Sequence, residues 1–117
     1  MSVARGLRTL GLVLLAAAIV VTASACEESL ADITPEIGVD QVSVQDDKFS
    51  PRVIQVTQGT TVTWTWDAGR DHNVAGEAFQ SELQREGTFA HTFTTPGSFR
   101  YLCTLHGGMT GAVIVTE

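Results

Sequence analysis

YLCTLHGGMTG, residues 101 to 111, sets Cys103, His106 and Met109 in a C-x-x-H-x-x-M spacing, between one strand-like run and the next. A thiolate, an imidazole and a thioether in one short loop form a soft donor set, which suits copper better than a hard cation that takes only oxygens. A second imidazole is available from His72, in the run Asp71-His72-Asn73-Val74, if the fold brings two loops together at one end of a sheet. The expected site is His72, Cys103, His106 and Met109: two His and one Cys in a plane, with Met as a weak axial donor, the geometry of an electron-transfer copper centre. The plainer alternative is that Cys103 and Met109 fill the core and the histidines are scattered over the surface, since both sulfur residues pack well in apolar interiors. Against it, the chain past its leader contains one Met and, besides Cys26, one Cys, and both are in this loop.

Working outward, the flanking segments read as strands. In Thr61-Val62-Thr63-Trp64-Thr65-Trp66 the alternation is strict, which places Val62, Trp64 and Trp66 on one face and the threonines on the other. The tryptophans are expected in the core, with shielding of the copper end a lesser role for Trp66. Val42 and Val44 alternate with polar neighbours, Asp46-Asp47-Lys48 makes a turn, and Phe49-Ser50-Pro51 leads into Val53-Ile54-Gln55-Val56. Thr88 to Thr94 is a further strand with Phe89, His91 and Phe93 on one face. Because His91 sits mid-strand, far in sequence from either ligand loop, it is expected to be a hydrogen-bonded structural histidine. Pro96-Gly97 turns the chain into Ser98 to Cys103, and Val113 and Val115 alternate in the closing strand. Residues 76 to 87 fit neither a strand nor a helix, and one helical turn is as compatible as a loop. Seven to eight short strands at turn-punctuated intervals predict an all-β Greek-key sandwich.

The 117 residues leave room for one domain. Arg5 and Arg8, the apolar run Leu10 to Val21 and Ala23-Ser24-Ala25 before Cys26 have the form of a secretory signal over residues 1 to 25, the apolar run being short for a bilayer span. Cys26 resembles the lipidated cysteine of bacterial lipoproteins, although Ala23 stands where an aliphatic residue is usual, so ordinary signal cleavage is the alternative. A Cys26 to Cys103 disulfide is a further possibility for an exported chain, but it would consume the thiolate. Residues 26 to 38 are acidic and broken by Pro35 and Gly38, and read as a tether ahead of a domain over 39 to 117. From Cys26 onward five basic residues face thirteen acidic ones, a net charge of −8, which makes nucleic acid an improbable partner. That charge either steers encounters with basic protein surfaces or simply maintains solubility.

The runs F-S-P-x-x-I-x-V from Phe49, G-T-T-V-T-W from Gly59, D-H-N-V from Asp71, F-T-T-P-G-S-F-R-Y-L-C from Phe93 and the C-x-x-H-x-x-M loop resemble the cupredoxin family, in particular its plastocyanin-like, amicyanin-like and halocyanin-like members. The two-residue gap between His106 and Met109 looks like amicyanin. Leu105 replaces the usual Pro before the second His, and Leu102 replaces the Tyr that plastocyanins carry before the ligand Cys. The Tyr-mediated electron entry of plastocyanins is therefore not transferred. The resemblance implies one type 1 copper per chain, and a bond from Asn73 to the loop after Cys103, at Thr104, that fixes the thiolate. The function so implied is an exported, monomeric one-electron carrier at the outer face of a membrane or in a periplasm. It would exchange electrons with redox protein partners through the edge of His106 and be tethered through Cys26. A copper-holding or copper-delivery protein with the same ligands is the alternative, and a metal-free sandwich used for adhesion is a third. Met109 is a poor ligand for zinc. With no coordination position left open and only His91 to spare, a multicopper enzyme is not expected from this chain alone.

Overall fold

The computed structural model describes residues 29 to 117; the expected signal, the cleavage site and Cys26 lie outside the described residues. Among the described residues, nine strands form two mixed sheets packed face to face. They are β1 (Glu36–Ile37), β2 (Gln41–Gln45), β3 (Lys48–Ser50), β4 (Val53–Thr57), β5 (Thr60–Trp66), β6 (Ala75–Gly76), β7 (Thr88–Phe93), β8 (Gly97–Leu102) and β9 (Thr110–Thr116). One sheet runs β1-β4-β9-β8-β6 and the other β3-β2-β5-β7. The sandwich is the expected architecture, with nine strands where seven to eight were expected, because two of them are only two residues long. β1 pairs in parallel with β4, Glu36 opposite Ile54, and lies inside the segment read as tether. So short a strand carries no periodicity of its own, and it forms because the edge of β4 offers it free backbone groups.

Alternation in β5 does what the sequence implied. Val62 and Trp64 are fully buried, Trp66 nearly so, and the threonines face outward, where Thr61 and Thr92 join hydroxyls at 2.7 Å across the β5–β7 pair. Trp64 is the centre of the core. Its ring stacks on Phe79 at 5.6 Å and meets Tyr101 edge-on at 5.4 Å, with Phe89 and Phe93 completing the surround. Val42 and Val44 of β2 and Val113 and Val115 of β9 close the space between the sheets. A core aromatic of this kind costs about 3–5 kcal/mol to truncate to alanine.

Residues 76 to 87 form neither a helix nor a long strand. The chain folds back on the residues before it, with single bridges His72 to Gln84 and Ala75 to Gln80. Gly76 is needed for this fold-back, since a Cβ there would come within 2.7 Å of the Phe79 ring. Phe79 and Ser81 are buried although the segment has no apolar period. Ser81 accepts the Val74 N–H at 2.8 Å and donates to the Glu82 carbonyl at 2.9 Å, so the pairing is carried by polar groups that no hydrophobic pattern reports.

Candidate metal centre

The parallel pairing of β2 with β5 brings the ends of both strands to the same end of the sandwich, with Val44 opposite Trp66. The antiparallel pair β8 and β9, with Leu102 opposite Thr110, delivers its connecting loop to that end as well. Three connections therefore meet there: the Asp46–Asp47 turn, the segment after Trp66 that carries His72, and the loop from Cys103 to Met109.

The last loop closes on itself. Cys103 N–H donates to the Met109 carbonyl at 3.0 Å, and Met109 N–H donates to the His106 carbonyl at 3.3 Å. Gly108, at φ +79°, supplies the left-handed residue that this return requires, whereas Gly107 has no such backbone. Met109 is buried at 2% exposure, and Cys103 is a buried free thiol. Just outside the loop, Tyr101 packs directly over Gly111, where a Cβ would stand 2.4 Å from Tyr101 Cζ.

His72 is fully buried and held on three sides. Its backbone exchanges two hydrogen bonds with Gln84, at 3.1 and 3.0 Å, and its carbonyl accepts the Trp66 indole N–H at 3.0 Å. Trp66 is thus both a core residue and a clamp on this segment. The neighbouring Asn73, also buried, accepts the Thr104 N–H at 2.8 Å and the Thr104 hydroxyl at 3.2 Å, which ties the His72 segment to the residue after Cys103.

The structure brings the sulfur and the two imidazoles together. Cys103 Sγ lies 3.8 Å from His72 Nδ1 and 3.6 Å from His106 Nδ1, and the three donor atoms all lie within 4.8 Å of one another. Those separations fit a single small ion. Metal–sulfur and metal–nitrogen bonds of about 2.3 and 2.0 Å, opened between tetrahedral and trigonal angles, put S and N about 3.5–3.8 Å apart. His106 keeps about a quarter of its side chain in contact with solvent, and Leu105 beside it is exposed. His91 lies apart from this cluster. Its ring is held by stacking on Phe79 at 5.0 Å and an edge contact with Phe93 at 4.8 Å, where hydrogen bonding was expected.

A group that sequence reasoning missed is Asp46. Its Oδ1 lies 2.8 Å from His72 Nε2 and accepts the Arg70 N–H at 3.1 Å, while Oδ2 accepts the Gly69 N–H at 3.1 Å. The bond with His72, then that from Gly69, holds this carboxyl at about 2, below its ordinary value of 3.8. The Asp46-Asp47-Lys48 run reads as a polar turn, and nothing local in it announces that a strand pairing sets one carboxylate against a histidine 26 residues away.

The chain matches the model of copper-binding proteins of the plastocyanin/azurin family over residues 36 to 116. It is 44% identical over 100 residues to the halocyanin of Natronomonas pharaonis, an alignment that covers 72% of this chain and 61% of the halocyanin. It is 30% identical over 86 residues to amicyanin-alpha of Methylorubrum extorquens, covering 67% of this chain and 72% of the other. Among solved structures, a purple cupredoxin from Nitrosopumilus maritimus superposes with a TM-score of 0.63 at 26% identity, over 67% of this chain and all of that one.

Proposed function

This chain belongs to the plastocyanin/azurin family of copper-binding proteins, and from that premise we propose that it is an exported one-electron carrier using one copper held by His72, Cys103, His106 and Met109. The observation that carries the reading is the convergence of Cys103 Sγ with the Nδ1 atoms of His72 and His106 at 3.8 and 3.6 Å, inside a loop closed by Met109. A copper ion there supplies a one-electron couple between Cu(I) and Cu(II). The protein's part is to hold the donors so that little must move when the electron arrives. Trp66, Gln84, Asn73 and the Cys103–Met109 bond each immobilise one side of the cluster before any metal enters. Cys103, His72 and His106 would hold the copper as its strong donors, and Met109 would be a weak thioether donor that helps to set the potential. The partly exposed edge of His106, beside Leu105, is the port through which a partner protein gives or takes the electron. No proton or substrate atom is transferred.

The signal-like pattern of residues 1 to 25 and Cys26 after it support a carrier outside the cytoplasm, at the outer face of a membrane if Cys26 bears lipid; mass spectrometry of the mature N-terminus decides the anchor. The copper site is tested by titrating the purified chain with Cu(II) and recording visible absorption. One equivalent should give an intense blue thiolate-to-copper band that Cys103→Ser abolishes. Reversible voltammetry without loss of copper then separates a carrier from a copper-delivery protein, which would release the ion to a chelator on reduction.

A further inference from the structure

Two consecutive aspartates occupy the turn between β2 and β3, and both are directed at the imidazoles of the site. Asp46 Oδ1 is 2.8 Å from His72 Nε2, and Asp47 Oδ1 is 3.9 Å from His106 Nε2. Arg70 anchors the turn, with Nη2 2.7 Å from Asp47 and Nε 3.6 Å from Asp46. Asp47 reaches this geometry at φ +65°, a left-handed backbone that aspartate tolerates better than most residues.

We propose that Asp46 is a positioning residue for the copper centre: its carboxylate fixes the tautomer and orientation of His72 and, by its charge, favours the oxidised state of the bound ion. This rests on the reading of His72 as a ligand. The chemistry of the pair decides the tautomer. An ionised carboxylate only accepts, so the proton of the 2.8 Å contact must sit on His72 Nε2. Nδ1, which faces Cys103 Sγ, is then left with a bare lone pair. The carboxylate cannot easily swing away, because the N–H groups of Gly69 and Arg70 hold its two oxygens. The ring cannot either, since His72 is fully buried and its backbone is bonded to Gln84 on both sides. A carboxylate behind a metal-bound imidazole raises the basicity of the ligand and commonly accounts for about ten- to a hundredfold in metal affinity. Being negative, it favours the more highly charged ion, so its effect falls mainly on Cu(II). The second aspartate is too far from His106 for a hydrogen bond, and its own partner is Arg70. It adds charge near His106 without fixing that ring, which stays partly exposed.

The test uses the full chain and its Asp46→Asn and Asp46→Ala variants, loaded with copper. Asp46→Asn removes the charge and leaves one acceptor oxygen, which can keep the bonds from His72 Nε2 and the Arg70 N–H while the bond from the Gly69 N–H is lost, so it should fold and turn blue. Its Cu(II) affinity relative to Cu(I) should fall about ten- to a hundredfold, which raises the reduction potential by about 60–120 mV at 59 mV per decade. Asp40→Asn makes the same change in net charge at the other end of β2, about 20 Å away along the strand, and should leave the potential where it is. In the Cu(I) form, nitrogen-15 NMR should show the Nε2 proton of His72 protected from exchange in the wild type and exposed in Asp46→Ala. An unchanged potential in Asp46→Asn, with wild-type His72 proton exchange in Asp46→Ala, would overturn the inference while leaving the blue copper site standing. A wild-type chain that never turns blue would overturn both.

Discussion

Asn73 joins the two halves of the site, and its removal can be given a magnitude from two distances. Its Oδ1 accepts from Thr104 N–H at 2.8 Å and from Thr104 Oγ1 at 3.2 Å, so Asn73→Ala deletes both bonds at once. Each is worth about 0.5–1.5 kcal/mol. Thr104 is exposed, so water takes over much of its lost bonding, whereas Asn73 is buried and its truncation adds no new partner. The expected loss is about 1–3 kcal/mol, or roughly 10 °C in Tm for a domain of this length. Thr104→Val removes only the longer bond and should cost about 0.5–1 kcal/mol. Once Asn73 is alanine, the Thr104 hydroxyl has nothing left to lose. The double variant should therefore be about as stable as Asn73→Ala alone, and the cycle should be non-additive by the cost of the Thr104 change. Thermal unfolding of the four metal-free proteins, followed by circular dichroism, measures this directly. Strict additivity, or a Tm for Asn73→Ala within about 2 °C of wild type, would refute the claim that this residue couples the two loops.

Gly111→Ala should destabilise the fold by about 1–3 kcal/mol, because a Cβ there stands 2.4 Å from Tyr101 Cζ and 2.5 Å from its hydroxyl oxygen; chemical denaturation reads it as a lower midpoint. Trp64 Nε1 and Tyr101 Oη are buried without a well-formed hydrogen bond. Tyr101→Phe should therefore change stability at pH 7 by less than about 1 kcal/mol. Burial raises the Tyr101 phenol well above its ordinary value, an effect that the nearby Trp64 indole offsets only in part. The folded state thus favours the protonated ring, and this stabilisation is complete below about pH 10 and lost as pH rises above it. The stability difference between wild type and Tyr101→Phe should accordingly widen against the wild type above pH 10 and stay flat below. Met109→Gln should keep copper and lower the reduction potential, since an oxygen donor favours Cu(II); an unchanged potential in voltammetry would show that Met109 is not a ligand.

What the sequence disclosed and what it concealed follow from how far each feature reaches along the chain. The Cys103 to Met109 loop was legible because its donors are rare residue types packed into seven positions. The β5 face was legible because alternation with a period of two is a local signal, and burial of Val62, Trp64 and Trp66 follows it residue by residue. The same logic explains why residues 76 to 87 resisted reading. Ser81 and Gln84 hold their segment through backbone and hydroxyl hydrogen bonds, which leave no hydrophobic period behind. β1 failed for another reason, as two residues cannot establish a period and its partner lies 18 positions away, Glu36 to Ile54.

Asp46 is the most instructive case. Within its own turn it is indistinguishable from Asp47 or from any solvated aspartate, and only the parallel register of β2 on β5 turns one of the pair toward His72. A ligand set can be written in a short motif because metal chemistry restricts which side chains qualify. The groups that orient those ligands need only be acceptors at the right place, so almost any polar residue can serve and the choice leaves little trace in composition. A sequence reading therefore reaches a candidate donor set and, through the family resemblance, the bond of Asn73 with Thr104, but not Asp46. How the site is tuned depends on strand pairings that bring an ordinary turn residue to a ligand's far side, and becomes visible only when the fold is known.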